Sequence, residues 1–255
     1  MILLRSTLFN LWFYAITLIY ALCGTILLLT GPRFARRWAN RVARFWARSV
    51  LAGLRPLVGI TYVVTGRENA PQTGPALIAS MHQSAFDTML WLLLVRDPAY
   101  VLKKELLALP LFGMMCRLTG MIAVDRNAGS SAIRELMRRA DDAVADGRPI
   151  VIFPEGTRMP PGQIGVLQPG VLALAGRTRL PIIPVVTDSG KCWSRRAFRK
   201  IPGVIRVAIQ PALPANLPRN AILTRLEGVY RTGSIDLARE DPPVDNSVDS
   251  RVKLL

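Results

Sequence analysis

The chain's single histidine, His82, stands five residues before Asp87 in the stretch Ser80-Met81-His82-Gln83-Ser84-Ala85-Phe86-Asp87. Histidine is the side chain that ordinarily titrates near neutral pH, and a carboxylate on one ring nitrogen fixes the tautomer and leaves the other nitrogen as a base. A helix beginning near Gln83 would turn the Asp87 carboxylate back toward the imidazole. The same stretch also suits a plain helix start, in which Ser84 or Asp87 caps backbone N–H groups. A second cluster, Phe153-Pro154-Glu155-Gly156-Thr157-Arg158, follows the apolar run 150–152. Arg158 suits bidentate phosphate capture, and Gly156 lets the backbone approach a ligand closely. A turn closed by a Glu155–Arg158 ion pair is the plainer alternative. Other chemistries drop out. One histidine excludes a two-histidine metal site, and G-x-x-x-x-G-K-[ST], G-x-G-x-x-G and G-x-S-x-G are all missing from the sequence. Cys23, Cys116 and Cys192 are too scattered for a zinc site or a disulfide framework, so a reducing compartment is the default.

Both clusters directly follow apolar runs. Short apolar runs predict strands at 61–65, 76–80, 99–102, 121–124, 149–153, 182–187 and 204–209. Helical periodicity predicts helices at 84–95, 105–118, 130–146, 170–178 and 221–231. Alternation of the two implies an α/β fold with a mixed, mostly parallel central sheet flanked by helices. His82 would then follow the second strand and Glu155 the fifth, and loops at strand ends are where α/β folds carry chemistry. The expected organisation is a membrane anchor with a basic amphipathic helix over 1–55, one catalytic domain over 56–237, and a loose tail over 238–255.

The N-terminal reading comes from charge. The chain carries 33 Lys+Arg against 17 Asp+Glu, a net +16, although 51% of it is hydrophobic and the mean hydropathy is +0.29. Nine arginines precede the first acid, Glu68. Residues 6–32 carry no charge and would reach ~40 Å as a helix, enough for a ~30 Å hydrocarbon core. The run is long and passes through Gly31-Pro32 straight into arginines, which fits a retained segment better than a cleavable signal. The arginines after it place the following domain in the cytoplasm, with the N-terminus outside if the segment spans; a re-entrant arrangement with the next helix stays open. In 33–50, Arg33, Arg37, Arg41, Arg44 and Arg48 recur at helical spacing beside Phe34, Trp38, Val42 and Phe45. Such a helix either lies among lipid headgroups or packs its aromatics on its own domain. Beside a membrane-length segment, nucleic acid is a poor partner for this charge.

Four blocks in order resemble the glycerolipid acyltransferase family that includes 1-acylglycerol-3-phosphate O-acyltransferase. His82 to Asp87 is similar to its H-x-x-x-x-D block, and Gly120-Met121-Ile122-Ala123-Val124-Asp125-Arg126 to the block ending in a phosphate-contacting arginine. Phe153 to Arg158 resembles F-P-E-G-T-R, and Leu180-Pro181-Ile182-Ile183-Pro184-Val185 the fourth block. The resemblance implies that His82 is the general base for a lysolipid hydroxyl and that Asp87 orients it. It implies that Arg126, Glu155, Gly156, Thr157 and Arg158, with Gly120 and Pro181, bind the acceptor, lysophosphatidic acid. The donor would be an acyl-CoA or acyl carrier protein thioester, with no metal or other cofactor; the arginine distribution sets the catalytic domain on the cytoplasmic side of the cell membrane. Ala123, Met81 and Gln168 stand where relatives often carry Phe, Asn and Lys. They leave open another lyso-acceptor, such as lyso-ornithine lipid. An inactive basic lipid-binding protein is the rival of another class. The basic run 191–206 would serve headgroups, an acidic acyl donor, or nothing beyond solvation.

Overall fold

The computed structural model describes residues 1–29, 32–109, 112–125, 128–214 and 217–239. Helices α1 (Ile2–Leu29) and α2 (Pro32–Ala52) lead through a short π-type turn into strand β1 (Ile60–Thr65). Then come β2 (Leu77–Ser80), α3 (Ala85–Leu94), β3 (Ala99–Lys103), α4 (Phe112–Leu118), β4 (Ile122–Val124) and α5 (Gly129–Ala145). The chain continues through β5 (Ile150–Ile152), α6 (Gly170–Thr178), β6 (Ile182–Thr187), β7 (Gly203–Ile209) and α7 (Arg219–Arg239). All seven expected strands form one sheet in the order β1-β7-β6-β2-β5-β3-β4. It is mixed and mostly parallel: β6 and β7 pair antiparallel, and every other neighbour pair is parallel.

The central strands are buried at every position, as continuous apolar runs must be in a parallel sheet covered on both faces. Successive side chains point to opposite faces and feed two cores. Ile78, Val151 and Ile183 pack with Phe86, Trp91 and Leu54 beside α1, α2 and α3. Leu77, Ala79, Ile150 and Ile152 pack with Leu136, Val171, Leu174 and Tyr230 of α5, α6 and α7. From the adjacent strands β2 and β5 the chain departs in opposite directions, to β3 and to β6. Their exits therefore flank a crevice at the carboxyl ends of the strands.

Three expectations change in detail. The helix expected over 105–118 is a helical turn, Lys104–Ala108, followed by α4. Leu109 is extended (φ −69°, ψ 126°), the conformation imposed on a residue that precedes proline. Helix α7 continues to Arg239 instead of ending at 231, so Ala238 and Arg239 belong to it, and the remaining tail lies outside the described residues. Gly233 makes that continuation possible, since a Cβ there would meet Val186 Cγ2 at 2.7 Å. On α2, Ala35, Ala39, Ala47 and Val50 face the protein, whereas Phe34, Trp38 and Phe45 are exposed. The aromatic stripe does not pack on its own domain.

Helix α1 holds the 25-residue segment Ile2–Ile26, long and apolar enough to cross a membrane by length and composition. It touches the rest of the protein at both ends. Phe9 is fully buried edge-on to Trp193 (5.2 Å), Arg5 Nε donates to Leu57 O (3.0 Å), and Gly24 abuts Met115. In between, Trp12 Nε1 donates to Ser49 O and Trp46 Nε1 to Thr17 Oγ1, both at 3.1 Å, tying α1 to α2.

At the opposite end of the sheet from the crevice, Arg148 is buried just before β5. Its guanidinium donates to the carbonyls of Thr119 (2.7 Å), Gly120 (3.1 Å) and Asp97 (3.1 Å) and pairs with Asp97 Oδ1 (3.2 Å). Replacing Arg148 by Met strands these acceptors, and the expected loss is about 3 kcal/mol of unfolding free energy. Arg148→Lys should recover only part of it, because an ammonium lacks the planar fork. Denaturant midpoints of the three proteins in one detergent check this.

Candidate active site

Ser84 is extended (φ −140°, ψ 163°) and caps α3, its Oγ accepting the Phe86 N–H at 3.1 Å. Asp87 completes a capping box, as its Oδ2 accepts the Ser84 N–H at 2.8 Å. That same oxygen accepts the Gln83 N–H (2.8 Å) and lies 3.1 Å from His82 Nδ1. The cap and the His82–Asp87 contact are therefore one arrangement, in which the same carboxylate oxygen serves both. An Asp87 carboxylate at Nδ1 makes that nitrogen the donor, so the proton-accepting nitrogen is Nε2. Nε2 has no hydrogen-bond partner among the described residues. The His82 side chain is 12% exposed and that of Asp87 3%, which leaves the imidazole reachable and its carboxylate sealed.

The loop after β5 holds His82 on three sides. Glu155 Oε2 accepts the His82 backbone N–H at 2.9 Å, and the Met159 N–H donates to the His82 carbonyl at 2.7 Å. The Phe153 ring stacks on the imidazole, with centroids 4.1 Å apart and planes 22° apart. The other oxygen of Glu155 accepts the Gly165 N–H at 3.1 Å, which closes the loop on itself. Burial pushes the Glu155 carboxyl above its ordinary 4.5; the two N–H donors oppose that shift and the Asp87 charge adds to it. Glu155 forms no ion pair with Arg158. Both of its oxygens accept backbone N–H groups, which ties the His82 backbone to the loop.

Arg158 is half-buried, with no hydrogen bond or ion pair among the described residues. Burial lowers its proton affinity, the Asp87 charge raises it, and Arg195 from the β6–β7 connection lowers it again. A partly desolvated guanidinium near a second arginine is suited to a doubly charged anion. Gly156 turns the loop at φ +67°, where an L side chain would be strained, and Thr157 is exposed on the same turn.

The remaining expected positions separate from this cluster. Pro181 accepts the Leu77 N–H (3.0 Å) at the entering end of β2, five residues before His82, or ~16 Å of strand away. Gly120 precedes β4 at that same far end of the sheet. It sits at φ +63° against Arg148, whose Nη1 would lie 2.7 Å from an added Cβ. Both serve the fold where they stand. Arg126 lies outside the described residues; Lys104 and Asp125 pair at 3.4 Å at the carboxyl ends of β3 and β4. The sequence pattern gave no sign of Met159 and Gly165, which act through backbone groups, or of Gln83, whose Oε1 accepts the Gly190 N–H at 3.1 Å. Phe153 was in view as part of its block, but its stacking on His82 was not.

Residues 61–188, from the start of β1 to just past β6, match the family described as Acyltransferase. The 1-acyl-sn-glycerol-3-phosphate acyltransferase of Pseudomonas aeruginosa is 36% identical over 213 residues, covering 83% of this chain and 81% of that one. The alpha enzyme of the same description from Homo sapiens is 30% identical over 171 residues, 66% of this chain and 60% of its own length. The chain thus spans less than two thirds of the human protein. Among solved structures, the 1-acyl-sn-glycerophosphate (LPA) acyltransferase PlsC from Thermotoga maritima superposes with a TM-score of 0.77 at 24% identity, over 95% of this chain and 100% of that one, which is a likeness of fold. With the family's pattern matched over half of the chain, and a relative matched at 36% identity over four fifths of its length, the chain belongs to the Acyltransferase family.

Proposed function

We propose that this protein transfers an acyl group from a thioester of coenzyme A or acyl carrier protein to the free hydroxyl of lysophosphatidic acid, producing phosphatidic acid in phospholipid biosynthesis. The observation that carries this reading is the contact of His82 Nδ1 with Asp87 Oδ2 at 3.1 Å, with Nε2 left as the proton acceptor. Relatives described as 1-acyl-sn-glycerol-3-phosphate acyltransferases support it. In the step, His82 Nε2 takes the hydroxyl proton as the acceptor oxygen forms its bond to the thioester carbonyl carbon. Asp87 stabilises the resulting imidazolium through Nδ1–H. The tetrahedral intermediate collapses with cleavage of the C–S bond, and the departing thiolate takes the proton back from Nε2. Base, carboxylate and two substrates balance the reaction.

Arg158, with Arg126, binds the acceptor phosphate, and the Gly156-Thr157 turn lines its approach. Glu155 is a positioning residue: it acts on the acceptor through the His82 backbone. Helices α1 and α2 anchor the protein to the cytoplasmic face of the cell membrane. The contacts of α1 with the domain at both ends favour a pair lying in one leaflet over a helix that spans alone, and the outward Phe34, Trp38 and Phe45 favour lipid as their partner.

His82→Ala should lower kcat by about 10³-fold with the fold kept, and Asp87→Asn by ~10²-fold or more. Radiolabelled acyl transfer and near-ultraviolet circular dichroism on the same preparations decide it, and turnover retained in a folded His82→Ala protein overturns the proposal. Arg158→Ala should raise KM about tenfold or more for lysophosphatidic acid and far less for an acceptor without the phosphomonoester, such as lyso-ornithine lipid. A panel of lyso-acceptors measures that difference and identifies the natural one.

The raised Glu155 carboxyl has a definite sign in stability. Its folded form holds the proton more tightly than the unfolded chain, so its contribution is most favourable in acid and declines as pH rises from 4.5 to the elevated folded value. Glu155→Gln cannot titrate. Across that window the wild-type protein should lose stability relative to the variant as pH rises, and denaturant midpoints collected against pH test the trend.

A further inference from the structure

Apart from Arg195, whose charge acts on Arg158, the connection between β6 and β7 has no part in the proposed reaction, yet it is a built surface. No acid occurs between Asp188 and Glu227, while Lys191, Arg195, Arg196, Arg199, Lys200 and Arg206 fall within that span. Because β6 runs parallel to β2, the connection leaves the sheet at the end where His82 sits. Two bulky apolar side chains stand out from it, Phe198 at 54% and Ile201 at 51% exposure, and Arg195, Arg196 and Arg199 are exposed around them.

The side chain between those outward residues points the other way. Lys200 is 3% exposed, and its ammonium donates to Asn10 Oδ1, Ala197 O and Phe198 O, each at 3.0 Å, over the rings of Trp193 (5.3 Å) and Phe9 (5.9 Å). Asn10 Nδ2 donates to Phe198 O (3.2 Å), and the Lys200 N–H donates to Ser6 Oγ (2.9 Å). The segment is thus fastened to α1, where Leu8 and Leu11 beside Asn10 are themselves 46% and 61% exposed. At its other end the connection is fastened to Gln83, next to His82.

We propose that residues 195–201 are a second membrane contact, in which Phe198 and Ile201 enter the acyl boundary of an anionic lipid surface and Arg196 and Arg199 take lipid phosphates. Two features favour lipid over an acidic protein: the apolar exposure continues that of a membrane-length helix, and arginines flanking bulky apolar groups match the layering of headgroup over acyl chain. The bonds to Gln83 and to α1 mean that seating this segment also fixes the height of the crevice above the headgroups. The surface assignment stands independently of the proposed reaction.

The test uses the full chain with Cys23→Ser and a nitroxide placed at Phe198→Cys, with Ile201→Cys as a second site. Leu11→Cys serves as an apolar reference and Ile133→Cys on α5 as an aqueous one. In phosphatidylcholine vesicles containing phosphatidylglycerol, labels at 198 and 201 should be several-fold better protected from a water-soluble relaxant than the label at 133, and should respond to oxygen as at 11. Arg196→Glu with Arg199→Glu should weaken that protection, as should omission of phosphatidylglycerol. Labels at 198 and 201 that behave as at 133 overturn the proposal. So does protection conferred by an acidic acyl carrier protein and not by anionic vesicles.

Discussion

One buried oxygen, Asp87 Oδ2, sets the geometry of the catalytic end of this protein. It accepts the backbone N–H groups of Gln83 and Ser84 and faces the imidazole Nδ1 of His82, so the start of α3 and the orientation of the base are a single structural event. A carboxylate placed among donors at a helix N-terminus is stabilised by the local dipoles as well as by its bonds. The oxygen so held faces the imidazole Nδ1 at 3.1 Å. A helix start of this kind is cheap to encode and rigid once formed, which suits a base that must meet its substrate within hydrogen-bond distance.

The rest of the fold serves to bring the second loop against that helix start. Parallel pairing of β2 with β5 makes the two strand exits neighbours, although 73 residues separate His82 from Glu155. Glu155 and Met159 then take the N–H and C=O of His82, and Phe153 takes its ring face. Holding the backbone of the base, and not only its side chain, limits the motion that would misalign Nε2. Burial of Glu155 is tolerable because both of its oxygens have donors.

On the other side, charge and apolar surface are distributed to suit a lipid substrate. The apolar helix is joined to α2 by a tryptophan hydrogen bond, and to the β6–β7 connection by an asparagine hydrogen bond and an inward lysine whose titration burial draws down to about 8. The exposed aromatics of α2 lie beside arginines, with Arg41 stacked over Trp38 at 4.4 Å. Such a surface has little to gain in water and much to gain at an interface.

Much of this was written in the sequence. The seven strands, the approximate helices and the fold class follow from apolar periodicity, which reports directly on burial. His82 and Asp87 were legible because helix geometry brings a side chain at the N3 position back to the cap. The F-P-E-G-T-R block was legible as chemistry, but the task of Glu155 was not, since its partners are backbone N–H groups that carry no residue identity. Gly120 and Pro181 lie in blocks similar to those of the family, yet the direction of the strands puts them at the far end of the sheet. Helix breaks at Leu109 and the passage of α7 through Gly233 depend on a neighbouring proline and a close helix–sheet contact. Local sequence thus determined which residues could cap, orient and take a proton. Only the tertiary structure decided which of them meet, because strand order and direction are settled by packing between residues far apart in the chain.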